Sequence, residues 1–195
     1  GTGKTITAIM DLMILHHEKD VDNCVILAPK SVYRNWYKEI TEFVAPEKTK
    51  YAISTWDPSL KDPVTKAKLT DLLQKSIVPL NIFLMNIESL SSPKGVKFLE
   101  KYLSVQDKNK TMMIVDESTV IKTHNAKRTK NLLKLTKDVA YKRILTGTPV
   151  TKSPLDIFTQ FAFLDPKILG QSNYYAFRAR YAKIINRPTS GGRHF

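Results

Sequence analysis

The sequence predicts an α/β fold: a mainly parallel, doubly wound sheet with helices on both faces. Three observations carry this expectation. Apolar runs of 4 to 5 residues recur along the 195-residue chain, each bounded by polar or turn-forming neighbours. That is the pattern of a strand buried on both faces. Longer segments with apolar residues at helical spacing separate the runs, and such alternation builds a parallel sheet. The composition (42% hydrophobic, 25% charged, 7 Gly and 10 Pro) suits a globular domain with its own core and excludes a disordered or low-complexity chain.

The elements follow in order. A helix is predicted over Thr5–His16 from Ile6, Ile9, Met10 and Met13, then a strand over Cys24–Ala28 (CVILA) and a helix over Ser31–Phe43. A weaker strand at Tyr51–Ser54 and a helix over Pro63–Ile77 come next. The remaining strands are Ile82–Met85 (IFLM), Met112–Val115 (MMIV) and Arg143–Thr146 (RILT), with a helix over Ala126–Leu135 before the last. In such sheets ligands bind beyond the carboxyl ends of the strands, so the residues just after each run are where chemistry is expected.

Charge is distributed unevenly. Lys and Arg number 31 against 18 Asp and Glu, a net charge of +13. Residues 1–121 contribute only +1 of this and residues 122–195 contribute +12. From Pro166 onward there is no acidic residue, while Tyr174, Tyr175, Phe177 and Tyr181 interleave with Arg178, Arg180 and Lys183. Cations alternating with aromatic rings suit a nucleic-acid strand through phosphate neutralisation and base stacking; an amphipathic helix with a solvated charged face reads the same way. Lys127, Lys130, Lys134 and Lys137 also share one helix face, most simply a solvated one. The single cysteine, Cys24, excludes an internal disulfide framework and a Cys-rich zinc module, and sits in an apolar run as a small buried hydrophobe. No apolar run is long enough to cross a bilayer and no signal-peptide pattern opens the chain, so no membrane partner is expected and the protein is expected to be intracellular, in cytoplasm or nucleus.

Two segments carry phosphate chemistry. The opening Gly1-Thr2-Gly3-Lys4-Thr5 matches the second half of the pattern G-x-x-x-x-G-K-[ST]. Glycines there let backbone N–H groups face phosphates at a helix N-terminus, Lys4 reaches the β- and γ-phosphates, and the Thr5 hydroxyl serves Mg²⁺. A flexible glycine start to a helix would account for this segment taken alone. Its counterpart is the strand Met112–Val115 ending in Asp116-Glu117. In that arrangement Asp116 serves the Mg²⁺ shell and Glu117 orients or deprotonates the attacking water. Neighbours on a strand face opposite ways, so both acids can serve one site only if the chain turns there.

Five segments together resemble the first RecA-like lobe of a superfamily 2 helicase-type ATPase of the Swi/Snf branch. They are Gly1–Thr5; Leu27-Ala28-Pro29-Lys30-Ser31 with Asn35-Trp36 and Glu39; Asp116-Glu117 with Ile121-Lys122; Leu145-Thr146-Gly147-Thr148-Pro149-Val150; and Asp156-Ile157-Phe158 with Phe163-Leu164-Asp165-Pro166. The resemblance spans residues 1 to about 166. It implies a P-loop NTPase lobe over residues 1–166, beginning inside the P-loop, and a basic helical extension over 167–195 leading toward a second lobe that lies outside the chain. It further implies ATP and Mg²⁺ as cofactors and a nucleic acid, duplex DNA, as partner. Nucleotide binding falls to Gly1, Thr2, Gly3, Lys4 and Thr5, the metal to Thr5 and Asp116, and catalysis to Glu117, Asp116 and Lys4. Pro29, Lys30 and Ser31 contact the DNA backbone, and Thr146, Gly147 and Thr148 couple nucleotide state to DNA contact. Ser31 is expected as an N-cap, and Trp36 is read as a core anchor in preference to a base contact.

Two positions depart from the family pattern, marking a divergent member. Thr119 stands where the family carries a His that links hydrolysis to the Thr-Gly-Thr-Pro segment, and Lys152 replaces an Asn. The resulting expectation is an ATP-dependent DNA translocase lobe whose hydrolysis requires the second lobe. The competing readings are a strand-separating DNA or RNA helicase of the same superfamily and a non-catalytic nucleic-acid-binding module. His16, His17, His124 and His194 show no ligand spacing.

Overall fold

The computed structural model describes residues 3–44, 49–56, 64, 67, 70, 71, 73, 74, 78–171 and 173–183. Among them five strands form one sheet: β1 (Asn23–Ala28), β2 (Tyr51–Trp56), β3 (Leu80–Asn86), β4 (Thr111–Asp116) and β5 (Tyr141–Leu145). The spatial order is β2-β3-β1-β4-β5 and every neighbouring pair is parallel.

Helices cover both faces, as side-chain alternation along the strands requires. Cys24, Ile26 and Ala28 of β1, with Ile82, Leu84, Met112 and Ile114, pack against Ala8, Ile9 and Leu12 of α1 (Lys4–His17) and Trp36 and Ile40 of α2 (Tyr33–Phe43). The alternate residues Val25, Leu27, Phe83, Met85, Met113 and Val115 meet Leu99, Tyr102 and Leu103 of α3 (Pro93–Val105), Leu132 of α4 (Lys127–Leu135) and Phe163 of α5 (Ile157–Leu164). A last helix, α6 (Tyr174–Tyr181), follows. Cys24 is fully buried and burial pushes its thiol pKa well up, with Asp11 a smaller contributor, so it acts as packing.

The strand and helix expectations hold with ends moved by one or two residues, with three differences. β5 is only partly buried along its length because, among the described residues, it has a sheet neighbour on one side alone. The expected N-cap at Ser31 is absent: Lys30–Val32 forms a 3₁₀ turn and Val32 precedes α2 with no side-chain cap. The helix expected over Pro63–Ile77 lies largely outside the described residues. Two helices, α3 and α5, add to those expected, while α6 falls within the helical extension expected from residue 167. α3 begins by standard means, with the Ser92 hydroxyl accepting the Gly95 N–H at 3.2 Å and Pro93 in the first turn.

Candidate nucleotide and nucleic-acid site

The register brings the motif-bearing segments to one edge. Ala28 pairs with Asn86, Leu27 with Val115, and Asp116 with Leu145. The chain therefore leaves β1 into Pro29–Ser31, β3 into Ile87, β4 into Glu117 and β5 into Thr146 along the same carboxyl rim. That rim is where parallel sheets bind ligands. Gly3 precedes α1 in a left-handed conformation (φ 72°), which glycine adopts without strain. Lys4 opens the helix with its ammonium directed at the same rim: its Nζ is 4.0 Å from where a Cβ on Gly147 would lie. Lys4 and the Leu-Thr-Gly-Thr-Pro segment are thus neighbours at ordinary contact range. α1 is further tied to β5 by a two-pronged bond in which Arg143 Nε and Nη2 donate to Asp11 at 2.7 and 3.2 Å. Gly1 and Thr2 lie outside the described residues.

The acid pair sits where β4 ends and the chain turns. Asp116 is the last residue of β4 and buried, at 8% exposure. Glu117 is exposed and left-handed, with φ 50° and ψ 56°. The change of backbone direction between them lets both side chains reach one rim. A non-glycine residue in this conformation costs about 1–2 kcal/mol. It is held by its own hydrogen bonds: its N–H donates to Asp116 Oδ1 at 2.9 Å and its carbonyl accepts the Val120 N–H at 3.0 Å. The second oxygen, Asp116 Oδ2, accepts the indole Nε1–H of Trp36 at 2.8 Å.

The residues fit a cation–nucleotide pair by their donor chemistry. A carboxylate at the strand end and the hydroxyl of Thr5 in the first turn of α1 are oxygen ligands, the type a hard divalent cation takes. Among the described residues no group of three or more His, Cys, Asp or Glu gathers as a metal cage. A cation held at this rim would complete its shell from phosphate and water.

Behind the rim a polar cluster ties the exits of β4 and β5 together. Ser118, fully buried, donates its hydroxyl to Gln160 Oε1 at 2.6 Å. Gln160 Nε2 donates in turn to the carbonyls of Pro149 at 2.7 Å and Asp156 at 2.9 Å. Thr159 donates to the Ile121 carbonyl, and Lys122 donates to the Thr151 hydroxyl. Asp156 gathers the N–H groups of Thr151 and Lys152 at 3.0 and 2.9 Å and the Thr151 hydroxyl at 2.8 Å. Burial works to raise its pKa, but these bonds and the nearby Lys122 outweigh it and hold the carboxyl at about 2. Within the motif, Thr146 Oγ1 accepts the Thr148 N–H at 3.1 Å.

Lys30 and Ser31 are exposed at the entry to α2, and the Lys127, Lys130, Lys134 and Lys137 side is exposed while Leu132 is buried. α4 also braces neighbouring turns: Arg128 donates to Glu88 at 2.9 Å and to the Val120 carbonyl at 2.8 Å, and Asn131 to the Leu90 carbonyl at 2.8 Å. The aromatic residues of the basic tail divide in two. Tyr174 stacks on His124 at 3.7 Å and Phe177, 3% exposed, packs on Phe158, which spends those rings on docking α6; Tyr175 and Tyr181 remain exposed. Two roles escaped the sequence reading: Trp36 as a hydrogen-bond partner of Asp116, and Gln160 as a clamp. A buried indole needs an acceptor, and a lone Gln in the apolar run IFTQFAFL needs partners, so both left a signal.

The parallel sheet, its two helical layers and this rim define a RecA-like lobe. A family model described as SNF2-related domain matches residues 1–190, and the chain belongs to that family, as the first lobe of a Swi/Snf-type superfamily 2 protein. Similar curated proteins include Protein CHROMATIN REMODELING 24 of Arabidopsis thaliana, 27% identical over 193 residues, covering 97% of this chain and 16% of that protein. Chromatin-remodeling ATPase INO80 of Cryptococcus neoformans var. neoformans is 28% identical over 198 residues, covering 98% of this chain and 10% of that protein. The chain thus spans a small part of the length of these relatives. Among solved structures, the Sulfolobus solfataricus SWI2/SNF2 ATPase core in complex with dsDNA shares the fold with a TM-score of 0.67 and 24% identity, over 93% of this chain and 33% of that one. No helix among the described residues is long and apolar enough to cross a membrane.

Proposed function

We propose that this chain is the first motor lobe of an ATP-dependent DNA translocase, binding ATP with Mg²⁺ on the carboxyl rim and duplex DNA beside it. The observation that carries the reading is the convergence of Lys4, Asp116, Glu117 and Thr146–Thr148 on one edge of a RecA-like sheet, in a chain of the SNF2-related family. Lys4 binds the β- and γ-phosphates, with Gly1, Thr2 and Gly3 lending backbone N–H groups. Thr5 and Asp116 would hold the cation, which when bound neutralises charge on the phosphate oxygens. Glu117, exposed next to the buried Asp116, orients the attacking water and receives its proton. Pro29, Lys30 and Ser31 bind the nucleic-acid backbone at the start of α2, and Thr146, Gly147 and Thr148 register the state of the phosphates.

Residues 1–166 form the lobe in this reading, and residues 167–195 lead toward a second RecA-like lobe that supplies an arginine finger. Such an arginine contributes a rate factor of about 10³–10⁵, so the isolated chain hydrolyses ATP negligibly. The test is ATP turnover by the full-length protein with duplex DNA, single-stranded DNA and RNA compared. Stimulation by duplex DNA without strand separation is expected, and Glu117→Gln should abolish turnover while retaining ATP binding. Unchanged turnover in Glu117→Gln would remove the role given to Glu117. Separation of a labelled duplex would favour a strand-separating helicase, and DNA binding with no turnover a non-catalytic module.

A further inference from the structure

Trp36 is the feature whose geometry exceeds the role first given to it. A core anchor of this size needs only an acceptor for its N–H, and any backbone carbonyl would serve. Its indole, 1% exposed, instead crosses 80 residues of sequence to reach a carboxylate at a strand end. The two oxygens of Asp116 are then held from different directions, Oδ1 by the Glu117 N–H and Oδ2 by the indole. Each carboxylate oxygen has a further lone pair. With both oxygens tethered, the rotation of the carboxyl group is set, and the remaining lone pairs face a direction fixed before any ligand arrives. Partners that orient a ligating group in this way typically govern metal affinity by 10–100-fold.

We propose that Trp36 is a positioning residue for Asp116, fixing the orientation in which that carboxylate meets a nucleotide-bound divalent cation. The inference rests on the reading of Asp116 as a cation ligand. It assigns to α2 a second task, since the helix that begins beside Pro29–Ser31 also steadies the acid of the neighbouring strand.

The test measures ADP affinity of the full-length protein by calorimetry, once with Mg²⁺ and once with EDTA, so that the gain due to the cation is separated from binding of the nucleotide itself. Trp36→Phe keeps an aromatic ring and removes the donor. It should reduce the Mg²⁺-dependent gain about tenfold and leave affinity in EDTA unchanged. Benzothienylalanine at position 36, which keeps the indole shape with sulfur in place of N–H, should do the same and decides the matter if the Phe variant does not fold. Trp56→Phe, at a buried tryptophan on the opposite face of the sheet, should alter neither value. A full Mg²⁺-dependent gain in the benzothienylalanine protein overturns the proposal. Asp116→Asn separates the two readings: if it too keeps the full gain, Asp116 is no cation ligand and the underlying assignment fails, whereas its loss alongside a normal Trp36 variant defeats only the positioning role.

Discussion

Replacing Gln160 with Leu should cost this fold more than its single side chain implies. Gln160 is 1% exposed and its amide makes three hydrogen bonds, to the Ser118 hydroxyl and to the carbonyls of Pro149 and Asp156. Leucine retains the apolar contacts of α5 but none of these. The fully buried Ser118 hydroxyl is left without its acceptor, a loss of about 1–3 kcal/mol. Pro149 is exposed, so water substitutes for the amide and the loss there is about 0.5–1 kcal/mol. The Asp156 carbonyl, at the N-cap of α5, contributes least. The expected total is about 1.5–4 kcal/mol, read as a lower urea midpoint at unchanged m, or a fall in Tm of about 3–16 °C. Ser118→Ala on its own strands the Gln160 oxygen, but in the Gln160→Leu background it removes a hydroxyl already unpaired. The double-mutant cycle should therefore show coupling of about 1 kcal/mol. A Gln160→Leu protein within about 0.5 kcal/mol of the parent, the error of such measurements, or a strictly additive cycle, would refute the clamp.

Three further outcomes are expected. Gly95→Ala would place a Cβ 2.2 Å from the Ser89 carbonyl oxygen, forcing α3 off the turn that follows β3, and urea unfolding should register about 1–3 kcal/mol of destabilisation; a neutral result would mean the two backbones separate freely. Asp156 ionises at about 2 in the folded chain, below its ordinary 3.8, so its contribution is complete above about pH 4 and is lost as pH falls toward 2. An Asp156→Asn protein should accordingly lose less stability than the parent between pH 5 and pH 2 (roughly the window set by the two pKa values), and equal losses would discount the bonds from Thr151 and Lys152. Neutralising Arg178, Arg180 and Lys183 together should flatten the salt dependence of duplex binding by about 0.9 in log–log slope for each phosphate contact removed; an unchanged slope would return α6 to an ordinary solvated helix.

The parts of the structure legible in the sequence are those set by local pattern. Runs such as CVILA and MMIV declare themselves because β1 and β4 are buried on both faces and carry no polar residue in the middle. Motifs placed just after those runs then had to share a rim, since parallel strands end together. The run RILT predicts a strand buried on both faces, yet β5 reads YKRIL and its Lys142 and Arg143 mark it as half-exposed, with Arg143 paired to Asp11 on α1. α3 was equally available, with Ser92-Pro93 as a start signal and Leu99, Tyr102 and Leu103 at helical spacing. What local pattern does not reach is contact across the fold. Nothing near Trp36 names Asp116 as its acceptor, and nothing near Tyr174 reveals that its ring lies on His124 and not in solvent.

Thr119, where the resemblance implies a His that links hydrolysis to the Thr-Gly-Thr-Pro segment, lies beside a set of long-range polar contacts. The adjacent Ser118 makes the connection through Gln160 to Pro149. Two further links run in parallel: Thr159 to the Ile121 carbonyl, and Lys122 through Thr151 to Asp156. The entrance to α5 therefore supplies polar groups that hold the exits of β4 and β5 in one arrangement, with Ser118–Gln160 and Thr159–Ile121 buried, where such bonds are strongest, and Lys122–Thr151–Asp156 exposed. A connection built this way resists displacement of either exit alone. Displacement of Ser118 relative to Pro149 would have to break the buried Ser118–Gln160 bond or carry Pro149 with it, and the second course is the cheaper, because Pro149 and its neighbours Gly147 and Thr148 are exposed.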